Sequence, residues 1–246
     1  MKTLGIIGFG QLGQFMAKHL KKFLPVSAFD VQDKRKEAEA IGVRLSSLEE
    51  TASRDLVIIS VPINKFEDTL EKINHLVKPG ALVLDVCSVK ILPSKMMKEK
   101  LRKDVEIIAT HPLFGPQSGA NGIKGLKIVL CPIRTKRLKS VKEFLEKALE
   151  LKVIVTTPEE HDRSMATAAC LSHFIGRSLI NLGIEEQEIS EPSFSNLINL
   201  KNMLKEDSLE LFRDIQAMNP FAHETREKFI AEIIKLNKEL KGGKAK

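Results

Sequence analysis

The sequence predicts an α/β chain: a mostly parallel sheet with helices on both faces, followed by a wholly helical domain. Three observations carry this expectation. Short apolar runs recur at 4–8, 26–30, 56–61, 81–85, 105–109, 127–131 and 152–156. Helical stretches at 12–23, 33–41, 65–76, 93–102 and 137–150 separate most of them. Strands alternating with helices are the pattern of a parallel sheet covered on both sides. From about 158 onward the strand signal vanishes, and helical periodicity continues over 158–182, 192–204, 207–217 and 222–240. The expected organisation is a sheet domain over 1–157, a helical domain over 158–241 and a flexible Gly242-Gly243-Lys244-Ala245-Lys246 tail over 242–246.

The first strand, helix and intervening turn carry the most specific local signal. Leu4-Gly5-Ile6-Ile7 runs into Gly8-Phe9-Gly10-Gln11-Leu12-Gly13, a G-x-G-x-x-G spacing that opens the helix over 12–23. Gly8 permits a tight turn, Gly10 lets the backbone approach a pyrophosphate, and Gly13 lets helix and strand pack closely. The helix N-terminus adds N–H groups and a positive dipole. Residues 8–13 are therefore the candidate cofactor loop of a Rossmann-type, dinucleotide-binding domain. The second strand ends in Asp30, 17 residues after Gly13. A carboxylate there accepts the ribose hydroxyls of NAD and repels a 2′-phosphate. NAD is the expected cofactor, while Lys34 and Arg35 nearby keep NADP open. The third run ends in Ser60-Val61-Pro62, where proline stops the strand and turns the chain toward the cofactor.

Composition narrows the function classes. A chain of 246 residues buries a large core and forms one or two domains. Its net charge of +7 comes from basic residues scattered along helices and mixed with acids, without Trp or Tyr to stack bases. A solvated lysine-rich surface that attracts anionic ligands is the expected reading, not a nucleic-acid partner. No apolar run approaches the roughly 20 residues needed to cross a bilayer. The first residues enter a strand directly, so a cytoplasmic protein is expected. Cys87, Cys131 and Cys170 are odd in number and widely spaced, which points to reduced thiols and to no metal site. The helical domain is thin for a self-sufficient core. Its Phe229-Ile230-Ile233-Ile234-Leu236 face points to completion by a second copy, a homodimer.

Candidate chemistry lies where strands end. Thr110-His111-Pro112-Leu113-Phe114-Gly115-Pro116 places an imidazole on a loop shaped by two prolines, and neutral imidazole takes up a proton near pH 7. Asp85-Val86-Cys87-Ser88-Val89-Lys90 ends another strand, and its Ser88 is either a substrate-side hydroxyl or the N-cap of the next helix. His173 and Arg177 stand four apart in the helix over 158–182 and share a face, as candidate carboxylate contacts or as surface residues.

Taken together, these segments resemble the prephenate/arogenate dehydrogenase family of tyrosine biosynthesis over nearly the whole chain. The resemblance is carried by the glycine turn at 8–13, Ser60-Val61-Pro62, Asp85 with Ser88-Val89-Lys90, and Thr110 to Gly119. It continues with His161-Asp162-Arg163, Ser172-His173-Phe174, and Asp214-Ile215-Gln216 with Asn219-Pro220. It implies that His111 activates the substrate 4-hydroxyl with help from Ser88, and that the helical domain forms the dimer and closes the active site. It further implies Gln117, Ser118 and Asn121 as substrate-loop residues. An acid at the position of Asn121 goes with arogenate and asparagine with prephenate, although Asn121-Gly122 also reads as a simple tight turn. The chain departs from many bacterial members in lacking an arginine in the helix that begins Pro192-Ser193-Phe194-Ser195-Asn196, leaving Arg177, Arg163 or Arg213 as the carboxylate clamp. Chorismate mutase and C-terminal regulatory segments are not seen. The expected activity is oxidative decarboxylation of prephenate with NAD. Arogenate dehydrogenase is the alternative, and an NAD-binding regulator is the reading outside catalysis. A β-hydroxyacid dehydrogenase would carry a catalytic lysine within 158–182, where this chain has none.

Overall fold

The computed structural model of this protein describes residues 2–205 and 207–242. The chain divides into two compact units, Met1–His161 and Asp162–Lys246.

In the first unit β1 (Leu4–Ile7), α1 (Gln11–Leu20), β2 (Val26–Phe29), α2 (Arg35–Ile41), β3 (Arg44–Leu45), α3 (Leu48–Ala52) and β4 (Leu56–Ile59) follow one another. After a 3-10 turn at Ile63–Lys65 come α4 (Phe66–Ile73), β5 (Leu82–Asp85), α5 (Ile91–Lys100), β6 (Glu106–Pro112), β7 (Lys127–Arg134), α6 (Leu138–Lys147) and β8 (Lys152–Val155). The eight strands form one sheet in the order β3-β2-β1-β4-β5-β6-β7-β8. Every pairing is parallel except β6 with β7. A mostly parallel, Rossmann-type sheet with helices on both faces is therefore the observed architecture. On one face Val57, Ile59, Phe66, Leu70, Val83, Met97 and Ile107 join a single continuous core. The other face holds three clusters, one around Ile6, Phe9 and Ala28 under α1 and α2, one around Leu82, Ile108 and Leu130 under α6, and one around Ile123, Ile128 and Leu151.

Two small elements escape the sequence pattern. β3 is two residues long and α3 five, too short to show a period. The N-terminus of α3 nevertheless carries a Ser-x-x-Glu capping signature, with Ser47 Oγ accepting from the Glu50 N–H at 3.2 Å. His111 was expected on a loop, and this is corrected. β6 extends through Pro112, because the antiparallel partner β7 pairs His111 with Val129 and Pro112 with Ile128. Proline is tolerated there as the last residue of the strand.

α7 (Pro158–Met165) contains the boundary between the units. The single helix expected over 158–182 is interrupted by a π-helical segment at Ala166–Leu171 before α8 (Ser172–Asn181). The second unit continues with α9 (Pro192–Leu204), α10 (Leu209–Met218) and α11 (Ala222–Gly242). α9 starts with proline at its first turn, where the missing N–H costs nothing. Gly176 is buried against Leu204, where a side chain would collide, so glycine sets the close approach of α8 and α9. Gly242 ends α11, and the rest of the expected flexible tail, 243–246, lies outside the described residues. No described helix is long and apolar enough to cross a membrane.

Candidate active site

The site is built along the carboxyl ends of neighbouring parallel strands, where open α/β sheets gather their ligands. In spatial order β2, β1, β4, β5 and β6 present Asp30, the glycine turn, Ser60-Val61-Pro62, Ser88 and His111. Gly8 has φ +94°, a left-handed conformation, and a Cβ there would run into the Ser60 carbonyl. A Cβ on Gly13 would collide with the Gly8 carbonyl, so strand and helix meet here without side chains. Gly10 is different, since the space around it is open. It is the N-cap of α1, and no side chain caps the helix. An uncapped helix start beside open space fits the pyrophosphate of a dinucleotide. Phe9 is fully buried and its N–H donates to Asp30 Oδ2 at 2.6 Å, while the Gln32 N–H donates to Oδ1 at 2.9 Å. The carboxylate is thus held in place at the turn with acceptor capacity left on both oxygens. Gln11 and Leu12 form the first turn of α1. The cations after β2 have acidic partners: Lys34 pairs with Glu37 at 3.1 Å and Arg35 with Asp33 at 2.6 Å.

His111 is the candidate base of this unit. Its Nδ1 lies 2.9 Å from Nε2 of His161 on α7, and the rings meet edge to face with centroids 5.1 Å apart. Burial first, then the nearby Lys90 cation and His161, hold the His111 pKa well below the ordinary value of 6.5. The imidazole is neutral at pH 7. With Nδ1 engaged by His161, Nε2 is the nitrogen left to receive a proton, as in bases whose second nitrogen is held by an orienting partner.

Behind His111 stands a fully buried ion pair. Lys90 and Asp85 are both 0% exposed and in direct contact. Lys90 Nζ also donates to the Thr110 carbonyl at 2.6 Å, the Thr110 N–H donates to Asp85 Oδ1 at 3.0 Å, and Thr110 Oγ1 donates to the Asp85 carbonyl. The Cys87 N–H donates to Asp85 Oδ2 at 2.9 Å. The residue before His111 is therefore clamped at its N–H, carbonyl and hydroxyl by the end of β5. The pair fixes β6 against β5 and places one positive charge near His111.

Ser88 sits half-buried on the turn after β5. Lys90 is the N-cap residue of α5, without a side-chain cap bond, so the reading of Ser88 as that N-cap is set aside. No hydrogen bond joins Ser88 to His111 among the described residues; the ring contact of His111 is with His161. Gln117, Ser118 and Asn121 are exposed on the turn-rich segment after β6. The Gly115 N–H donates to Ser118 Oγ at 2.9 Å, and Gly122 takes φ +115°. Asn121-Gly122 is thus a turn. In the helical unit His173 Nδ1 stands 3.7 Å from Asp207 Oδ2, and burial lowers its pKa. Arg177 donates to the Asp207 carbonyl at 2.9 Å and stacks on Phe212, and Arg163 stacks on Phe221. Sequence reasoning quoted His161, Asp85 and Lys90 within motifs but did not place them in the site. Their signal was the motifs alone, since His161 is 50 residues from the base it touches.

Comparisons with known proteins agree with this geometry. A family model of the prephenate dehydrogenase nucleotide-binding domain matches residues 16–168, a span that contains Ser88, His111 and His161. A model of the TYRAAT1-like C-terminal domain matches residues 178–246. A Methanocaldococcus jannaschii protein named as a probable arogenate/prephenate dehydrogenase is 32% identical, over 98% of this chain and 58% of its own length. Arogenate dehydrogenase 2, chloroplastic, of Arabidopsis thaliana is 30% identical, over 97% of this chain and 70% of its own. Arogenate dehydrogenase 1 of the same plant is matched over 39% of its length, so the chain spans about half the length of some curated relatives. Among solved structures, prephenate dehydrogenase from Aquifex aeolicus in complex with hydroxyphenyl propionate and NAD+ shares the fold. Its TM-score is 0.78 at 23% identity, covering 98% of this chain and 91% of that one. With a family model over more than half of its residues and a relative 30% identical that it covers to 70%, the chain belongs to the prephenate/arogenate dehydrogenase family.

Proposed function

We propose that the protein oxidises prephenate to 4-hydroxyphenylpyruvate with NAD as hydride acceptor and release of CO2, a step of tyrosine biosynthesis. The observation that carries this reading is a neutral, half-buried His111, oriented by His161, two strands from β4 and three from the glycine turn of β1. Prephenate bears a hydroxyl at ring C4 and a carboxylate at C1. His111 Nε2 takes the hydroxyl proton, which makes loss of hydride from C4 favourable. Residues 8–13 and Asp30 would hold NAD, which would supply the acceptor for that hydride. As the C1 carboxylate leaves as CO2 its bonding electrons aromatise the ring, and the phenol oxygen recovers the proton from His111. Ser88 on the neighbouring strand end supplies a hydroxyl for the substrate 4-hydroxyl. The clamp on Thr110 keeps His111 from turning away.

Asp30 supports NAD over NADP, since its carboxylate stands at the end of β2 while Lys34 and Arg35 are occupied by their own acids. Asp30→Ser is expected to relax this preference toward NADP, measured as the ratio of kcat/KM for the two cofactors. Higher wild-type activity with NADP would overturn the assignment.

The second reading is arogenate dehydrogenase, favoured by the names of the plant relatives. Arogenate carries an ammonium where prephenate has a keto group, and burying an ammonium without a partner is costly. Asn121 offers an amide there, not a charge. Wild type is therefore expected to show the larger kcat/KM with prephenate, and Asn121→Asp to move the ratio toward arogenate. A wild-type preference for arogenate would show that this turn does not govern selectivity.

The assembly we propose is a homodimer through the helical unit. That unit has a small core around Cys170, Ile215 and Ala222, while Ile233, Ile234 and Leu236 of α11 stand about half exposed. Sedimentation at micromolar concentration is expected to show twice the 27.5 kDa chain mass. A monomer alone would contradict it.

A further inference from the structure

We propose that an apolar cavity between α1 and α6 in the sheet unit is a binding site for a small anionic amphiphile, an alkyl or aryl body ending in a carboxylate. It arises from the topology. α4 and α5, which follow the two central strands β4 and β5, lie on the face with the continuous core. On the opposite face α1 and α6 stand apart along the centre of the sheet, and the apolar core is split into three clusters. Leu56 and Leu84, in the middle of an eight-stranded sheet, are consequently left only half-buried. Central parallel strands are ordinarily covered on both faces.

The gap has a volume of about 290 Å³, near the lower end of small-ligand pockets. Leu56, Leu84, Met16, Leu20, Val141 and Leu145 are among its walls. Two aromatic pairs bridge elements around it. Phe23 meets Phe144 edge to face with centroids 5.6 Å apart, and Phe15 meets Phe114 at 6.3 Å. A space lined so largely by hydrocarbon offers water too few partners, and such cavities take up apolar molecules.

The charged lining selects the kind of molecule. Lys2, His19 and Arg137 border the cavity, and no acidic side chain among the described residues does. Arg137 is committed to Glu106 at 3.0 Å and to the Gly80 carbonyl. Burial first, then Lys22 and Lys18, hold the His19 pKa below its ordinary value, so its imidazole is neutral at pH 7. The cationic border at Lys2, with Lys18 and Lys22 close to the neutral His19, therefore complements one negative charge at the end of an apolar body. Leu12 and Thr110 line both this cavity and the neighbourhood of the proposed active site, but His111, Ser88 and Asp30 do not border it, and the binding test needs no turnover.

Decanoate titrated into the full chain by calorimetry is the test, with decanol as the uncharged control. Saturable binding of decanoate is expected, with decanol weaker and Lys2→Gln bringing decanoate toward decanol. Filling the gap from the sheet by Leu84→Phe, or from the helix by Met16→Trp, is expected to weaken decanoate about tenfold or more without lowering the melting temperature. Two positions are used because either variant alone could perturb folding. Absence of saturable binding to wild type would overturn the proposal, as would decanoate affinity unchanged in folded, cavity-filled variants. A filled variant that dissociates the assembly in sedimentation, with no decanoate binding to wild type, would assign the gap to a second copy of the chain instead.

Discussion

His111→Asn is expected to lower turnover by about 10²–10⁴-fold, the contribution of a positioned general base, while cofactor binding is retained. Asparagine keeps roughly the shape of the side chain but cannot take the proton. Cofactor affinity measured beside turnover separates loss of the base from collapse of the site. The absence of Trp and Tyr lets the aromatic product be followed against little protein absorbance. The pH dependence follows from the depressed pKa of His111. Since the base is needed neutral, wild-type kcat/KM is expected to hold as pH falls through 6.5 and to drop only in more acidic solution. Stability moves the other way in that window. Below 6.5 the unfolded chain takes up a proton at His111 that the native state refuses, so this contribution is lost as pH falls. Near-normal turnover in His111→Asn would remove His111 from the mechanism.

The second large effect is expected at Lys90. Lys90→Met leaves the fully buried Asp85 carboxylate without its cation, and breaking a buried pair from one side costs about 3–5 kcal/mol. A lower melting temperature and denaturant midpoint are the expected readouts. Removing both charges, as Lys90→Met with Asp85→Leu, should recover a large part of the loss, because the cost lies in the orphaned charge. A second readout separates positioning of the base from mere support. Loss of the Lys90 cation takes away one of the causes that depress the His111 pKa, so the acid limb of kcat/KM should move to higher pH in the single variant. An unmoved limb would leave the pair with a purely structural role. A double variant as unstable as the single one would contradict the charge argument.

Much of this protein was legible in residue order because the requirements are local. A strand, a turn that only glycine can make and a helix start are dictated within about a dozen residues, which is why Gly8, Gly10 and Gly13 read directly as a cofactor loop. Asp30 follows from the length of one helix and one strand. The alternation of periods specified a parallel sheet, and its disappearance after 158 specified the helical domain. Elements shorter than one period, β3 and α3, left no such trace. The π-helical segment at Ala166–Leu171 has no period of its own to detect against the α-helix around it.

What the site needs beyond this comes from contacts between residues far apart in the chain. Pairing with β7 carries His111 into a strand although two prolines flank the motif. His161 reaches His111 across 50 positions, and Lys90 reaches Thr110 across 20. No local pattern announces either contact, because both depend on which strands become neighbours and on how deeply their ends are buried. Burial then does the chemical work, turning an ordinary imidazole into one held neutral and a surface-type lysine into half of a closed ion pair. Residue types and spacings were enough to nominate a candidate base and a candidate cofactor loop. The state of that base, its partners and the uncovered centre of the sheet were settled by packing, since desolvation and Coulomb interactions depend on distances that exist only in the folded chain.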